Sequence, residues 1–167
     1  KSGEYRLLEW NNVIEGEIIF AVAVDITEKQ FISDFQTQLL NLSSKLTGLP
    51  FNEIKPAIQQ ALKQISRFLQ SDRTYIFEFS EDKTKMNNTY EWCADGIEPM
   101  IDHLQDIPCA PYPMWIKTLS LHENIVCDTV EEMSPEWEAE KEFLLAQGIK
   151  SLLIVPLVAE KHLIGFA

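Results

Sequence analysis

From residue 52 onward the sequence reads helix, strand, strand, an irregular crossover with short helices, strand, helix, strand, strand. That order predicts an α+β domain around an antiparallel sheet. Two further observations agree. The 167 residues are 46% apolar and 24% charged, the balance of a folded chain with one ordinary core. The longest apolar runs, residues 18–24 and 152–158, have strand length and fall short of the roughly 18–20 residues needed to span a bilayer.

Ahead of that domain, Tyr5-Arg6-Leu7-Leu8-Glu9-Trp10 and Glu17-Ile18-Ile19-Phe20-Ala21-Val22-Ala23-Val24 flank Glu15-Gly16, which predicts a hairpin with Gly16 in the turn. Two strands alone are marginal in water, so this hairpin is a remnant or docks on something. Ile32, Phe35, Leu39, Leu42, Leu46 and Leu49 follow at spacings of 3, 4, 3, 4 and 3, the rhythm of a coiled-coil seam. Thr27-Glu28 starts that helix and Gly48 before Pro50 stops it. Phe31 and Leu40 widen the stripe toward the alternative, an amphipathic helix packed on its own domain.

In the body, Ile54, Ile58, Ala61, Leu62, Ile65, Phe68 and Leu69 trace one helical face, with Pro56 in the first turn. Residues 73–80 form a strand with Tyr75, Phe77 and Phe79 on one face. Residues 87–94 form the next, with Tyr90 and Trp92 on one face and Cys93 on the other. Gly96, Pro99, Pro108, Pro111 and Pro113 break up the crossover, which has room for short helices at 99–104 and 113–120. A short strand at 124–128 precedes a helix with Ser134 as N-cap, Pro135 at its first position and Gly148 as its stop. Residues 149–158 are apolar almost throughout, as expected of a strand covered on both faces, and 162–167 make a last strand. The carboxylates of Glu131, Glu132 and residues 136–142 read as a solvated helical face.

Charge narrows the partners. With 14 basic and 26 acidic side chains the chain carries −12, so nucleic acid and anionic membranes are not expected partners. Residues 1–15 lack the order of a signal peptide, and the start at Lys1 is expected of a piece of a longer protein. Cys93, Cys109 and Cys127, spaced by 16 and 18, fit neither a disulfide framework nor a zinc pattern, so reduced thiols in a cytoplasmic protein are expected. No Ser/His/Asp arrangement, P-loop or close His/Glu metal spacing occurs, and no metal or catalytic residue is assigned.

Asn88-Thr89-Tyr90-Glu91-Trp92-Cys93-Ala94-Asp95-Gly96-Ile97, Ile107-Pro108, Trp115 and residues 125–128 resemble bacterial GAF domains. The resemblance is strongest from Glu140-Lys141 through Gln147-Gly148-Ile149-Lys150-Ser151-Leu152-Leu153-Ile154-Val155-Pro156-Leu157 and at Leu163-Ile164-Gly165-Phe166. Tyr5 to Trp10, Glu15-Gly16 and Val24-Asp25-Ile26-Thr27-Glu28 look like the closing hairpin of a PAS domain. The resemblance implies three parts: a PAS remnant at 1–27, a signalling linker helix at 28–49 and a GAF domain at 50–167, incomplete at its C-terminus. It implies a central antiparallel sheet with helices on both faces.

It further implies a sensory module in a cytoplasmic protein with a histidine kinase or cyclic-di-GMP output, and the heptad spacing adds the expectation of a homodimer through Ile32, Phe35, Leu39, Leu42, Leu46 and Leu49. Ligand-binding GAF domains use a cleft between sheet and crossover. By position its residues here are Trp92, Asp95, Trp115, Ile116, Cys127, Asp128, Trp137 and Phe143, facing an unidentified small molecule. The alternative is that these aromatics fill a core in a ligand-free dimerisation module.

No cofactor is expected. The spaced Asn-Lys-Phe-Asp-Glu set of cyclic-nucleotide GAF domains is missing. The bilin-type Cys followed by His is missing too, since Ala94, Ala110 and Asp128 follow the three cysteines. Haem would need His103, His122 or His162, each near a loop or turn. A GAF-type free methionine sulfoxide reductase would need activated thiols, yet Cys93 lies between Glu91 and Asp95, and Cys127 precedes Asp128.

Overall fold

Gly16, at φ +63°, takes the first central position of a two-residue turn, where a side chain would be strained. It joins β1 (Leu8–Glu15) to β2 (Ile18–Asp25) in register from Leu8 opposite Asp25 to Glu15 opposite Ile18. The computed structural model describes residues 5–167, so Lys1 to Glu4, the front of the expected 1–27 remnant, lie outside the described residues. The first strand starts at Leu8 rather than Tyr5 because Leu7 serves the next element: its N–H donates to Thr27 Oγ1 at 2.8 Å. Every residue of both strands is exposed, although β2 is apolar on both faces.

Helix α1 (Thr27–Leu46) begins where Asp25 Oδ1 accepts the Thr27 N–H at 3.0 Å and its hydroxyl at 2.7 Å. Those Thr27 bonds, and then the Arg6 guanidinium at 2.8 Å, hold the Asp25 carboxyl down at about 2. The expected seam splits in two. Leu42 is buried at 7% exposure and Phe35 and Leu49 are half-buried, while Ile32, Leu39 and Leu46 remain 48%, 42% and 38% exposed. Leu49 lies past the helix, which stops before Gly48 at φ +75°.

Helix α2 (Phe51–Leu69) starts early enough that Pro56 lies beyond its first turn, contrary to the sequence expectation. Pro56 offers no N–H to the carbonyl one turn back. The chain divides just after it, into one unit of Lys1–Ala57 and another of Ile58–Ala167. The deepest residues of α2 are Ala61, Leu62 and Ser66, so a serine sits at the centre of the apolar face. Its hydroxyl is hydrogen-bonded to Thr74 Oγ1.

Thr74 belongs to β3 (Arg73–Phe79), which pairs with β4 (Lys85–Cys93). Ile76 lies opposite Tyr90 but Phe77 lies opposite Asn88, so Thr89 is an extra residue. This bulge inverts the faces of β4. Before it, Met86 and Asn88 lie on the face of Phe77 and Phe79; after it, Glu91 and Cys93 lie with Tyr75 and Arg73.

The crossover departs from expectation at residues 99–104, which form turns rather than a helix. A two-residue β5 (Ile107–Pro108) then pairs with Lys85 and Met86. Helix α3 (Pro113–Ser120), β6 (Ile125–Cys127) and α4 (Glu138–Ala146) follow, the last entered through a 3₁₀ turn at Pro135–Trp137. Ser134 makes no side-chain cap, and its hydroxyl goes to Glu136.

The apolar run at 149–158 is two strands in two sheets. β7 (Leu152–Ile154) pairs with β6, and β8 (Pro156–Ala159) pairs with β9 (His162–Phe166). Only one side is covered, since Leu153, Val155 and Val158 are exposed. The main sheet is antiparallel in the order β5-β4-β3-β9-β8. The part of α2 from Ile58 on covers one face; α3, α4 and the crossover cover the other, where the core of Phe77, Met86, Trp115, Leu119, Leu144 and Phe166 lies.

Gly165 has a packing reason, because a Cβ there would run into the backbone carbonyl of Phe77 on the adjoining strand. Gly165→Ala should therefore lower the unfolding free energy by about 2–4 kcal/mol. Denaturant titration measures this, and a loss below about 1 kcal/mol would mean that β3 and β9 can move apart freely.

Candidate ligand cleft

Two buried carboxylates lie on the crossover side of the sheet, one on β4 and one on α4. Glu91 projects from β4, because the Thr89 bulge turns it inward. Its Oε1 and Oε2 accept the Met100 N–H at 3.1 and 2.9 Å, and Oε2 accepts the Ile101 N–H at 2.8 Å. Arg73 Nε lies 3.5 Å from Oε1. Glu140, on α4, is 1% exposed, and its Oε1 accepts the Met114 N–H at 2.9 Å and the Trp115 N–H at 3.1 Å. Those are the first free donors of α3, whose sequence start, Tyr112-Pro113, offers no capping side chain. A carboxylate there also meets the positive end of the helix dipole.

A polar chain ties the same face to α4. Arg73 donates to the Tyr75 hydroxyl at 2.9 Å, Tyr75 donates to Gln147 Oε1 at 3.0 Å, and Gln147 Nε2 donates to the Phe143 carbonyl at 3.1 Å. Arg73 also donates to the Glu98 carbonyl. Between these anchors the aromatic rings touch one another. Tyr112 and Phe143 centroids are 4.8 Å apart, Trp115 and Phe166 are 5.5 Å apart, and Phe77 stacks on Phe166 at 4.9 Å. Within this layer Asn88 Oδ1 and Nδ2, Trp115 Nε1 and Glu140 Oε2 are buried without partners.

Outside it, an open groove of about 430 Å³ runs along β6 and the following turns, lined among others by Asn124, Cys127, Asp128, Glu132 and Trp137. Burial, and then the Glu91 charge, push the Cys93 thiol above its ordinary pKa; burial does the same to Cys109, followed by Asp82. His103, His122 and His162 are all exposed.

The family model described as GAF domain matches residues 53–167. The chain belongs to the GAF domain family. A relative, the methanogenesis regulatory histidine kinase FilI of Methanothrix harundinacea, is 30% identical over 118 residues. The match takes in 68% of this chain and 13% of the kinase. Among solved structures, the phycocyanobilin-bound GAF domain from a cyanobacterial phytochrome aligns with a TM-score of 0.63 at 18% identity, over 78% of this chain and 76% of that one. The chromophore-binding domain of an unusual bacteriophytochrome from R. palustris aligns with a TM-score of 0.64 at 14% identity, over 95% of this chain and 59% of that one. At these identities the likeness establishes the fold.

The GAF fold distributes the eight sequence-predicted cleft residues over separate places. Trp115, Ile116 and Phe143 meet in the aromatic layer beneath the crossover. Cys127, Asp128 and Trp137 line the outer groove. Asp95 is exposed in the turn after β4. Trp92 is opposite Thr74, on the sheet face that Thr74 shows to Ser66 of α2, so it does not reach the cleft; the Thr89 bulge put Glu91 and Cys93 there instead.

Sequence reasoning missed Glu91 and misread Glu140, which it placed on a solvated face. The signal available for Glu140 was the uncapped start of α3, which leaves donors that some acceptor elsewhere must meet. Removing that acceptor by Glu140→Ala should cost about 2–3 kcal/mol, and Glu140→Gln, which keeps an accepting oxygen, markedly less. Thermal or denaturant unfolding of the two variants checks the order, and equal losses would contradict the capping role.

Proposed function

We propose that this GAF domain is the sensory, non-catalytic part of a cytoplasmic signal-transduction protein with a histidine kinase or cyclic-di-GMP output. The hairpin at 1–27 is read as the end of a PAS domain and residues 28–49 as a signalling helix. A small molecule held between sheet and crossover shifts the crossover, and the shift passes to the packing of α1 against α1 of a second copy. The regulatory histidine kinase relative supports the signalling class.

The observation that carries the reading is the set of unpartnered buried polar atoms, above all both amide atoms of Asn88, at 1% exposure. Buried polar groups in folded proteins are nearly always paired, and a polar small molecule between sheet and crossover would supply the partners that the protein does not. For the relay, Ile32, Leu39 and Leu46 recur every seven residues and stay exposed, which supports a second copy along that line.

Ring-to-ring packing in the cleft favours one other reading, a constitutive dimerisation module without a ligand. The raised thiols of Cys93 and Cys109 weigh against a reductase, whose chemistry needs thiolate. Bilin attachment finds no Cys-His pair in the sequence.

Two measurements test the proposal. Native mass spectrometry of protein from its own host should show a retained small molecule; a bare protein favours the constitutive module. Leu39→Glu should leave the fold intact, since Leu39 is exposed, and abolish dimers in light scattering. Leu42 is a poor probe because it is buried. A dimer that survives Leu39→Glu places the seam elsewhere.

A further inference from the structure

One corner of the cleft carries a charge that no described cation answers, and a ligand for that corner presupposes the sensory cleft proposed for this domain. Glu140 Oε1 is occupied by two backbone N–H groups, but Oε2 is buried and unpartnered. Among the described residues no ion pair includes Glu140. Trp115 Nε1, on the residue whose backbone Glu140 holds, is also buried and unpartnered. Three rings pack together at the start of α3 that Glu140 caps and along α4. Tyr112, Trp115 and Phe143 have centroids 4.8, 6.2 and 6.3 Å apart. Tyr112 lies close enough to feel Glu140: burial first, and then that charge, raise its hydroxyl pKa.

These groups define the chemistry of an occupant. A carboxylate oxygen only accepts, so Oε2 needs an N–H or O–H donor. A buried negative charge without a counter-ion favours a cation over a neutral group. Aromatic faces attract the same cation. The net charge of −12 raises the local concentration of cations around the whole domain. A quaternary ammonium would satisfy the rings but leave Oε2 unpaired. Tyr112 and Phe143, from different elements and both half-buried, are the rings that must part to admit an alkyl chain.

We propose that this corner binds a small alkylammonium ion with at least one N–H, donated to Glu140 Oε2, its alkyl part lying against Tyr112, Trp115 and Phe143.

The test titrates the full chain with n-butylammonium chloride and follows the Trp115 indole N–H by proton–nitrogen correlation NMR. n-Butanol, sodium butyrate and tetramethylammonium chloride serve as matched probes. Glu140→Gln keeps an oxygen for the α3 donors but removes the charge, and Tyr112→Leu keeps the charge but removes a ring. Butylammonium should shift the Trp115 signal saturably. Binding should weaken at least about tenfold for tetramethylammonium and for butylammonium on Glu140→Gln, and about threefold on Tyr112→Leu.

Equal binding of tetramethylammonium, or unchanged affinity in Glu140→Gln, assigns the effect to the acidic surface and overturns the proposal. Should Glu140→Gln fail to fold, Tyr112→Leu decides, and unchanged affinity there overturns it. Saturation by butanol or butyrate instead overturns the ammonium class and leaves the cleft reading standing. No response to any probe gives Oε2 to internal water and overturns the proposal; the mass measurement then judges the cleft reading separately.

Discussion

Two buried carboxylates, received by backbone N–H groups of the crossover, are the constraint on which the candidate site depends. Glu91 reaches from the sheet to Met100 and Ile101, and Glu140 reaches from α4 to Met114 and Trp115. Burying each carboxylate costs several kcal/mol, and each charged hydrogen bond returns about 1.5–3 kcal/mol, so the two sides nearly cancel. Their consequence is therefore conformational. An irregular segment interrupted by four prolines acquires one position over the sheet, and the aromatic layer beneath it acquires one arrangement.

On the proposed sensory reading, that arrangement lets a packed domain respond. The rings pack against one another, while Asn88, Trp115 and Glu140 leave buried polar atoms unpaired. An occupant that satisfies them competes with ring packing rather than with a sheet ladder. The proposed response would fall on the crossover and on α4, which the Arg73–Tyr75–Gln147 chain couples to the sheet. In the other unit, the exposed line of Ile32, Leu39 and Leu46 and the exposed apolar β2 leave surface that an assembly would cover.

Much of the architecture was legible in the residues. The strand faces of Tyr75, Phe77 and Phe79, the bounds of α3 and the stop at Gly148 followed from period, proline and glycine, because these are local signals. The failures share a cause, which is that the deciding partner lies far away in sequence. The run at 149–158 looked like one buried strand, but β6 claims its first half and β9 its second. Trp92 looked like a cleft residue, but a one-residue bulge reversed its face. Glu140 looked like one more charge on an acidic helix, but it answers donors 25 and 26 residues earlier. The divided seam of α1 was also invisible, since heptad spacing cannot say which half of a stripe is already covered.

Native-state hydrogen exchange at the Met100, Ile101, Met114 and Trp115 amides tests the carboxylate anchoring most directly. If Glu91 and Glu140 hold the crossover, these four amides exchange only through global unfolding, as slowly as the core strands. If they exchange as fast as the exposed turns around Lys83 and Gly96, the crossover opens independently of the fold and the anchoring account is contradicted.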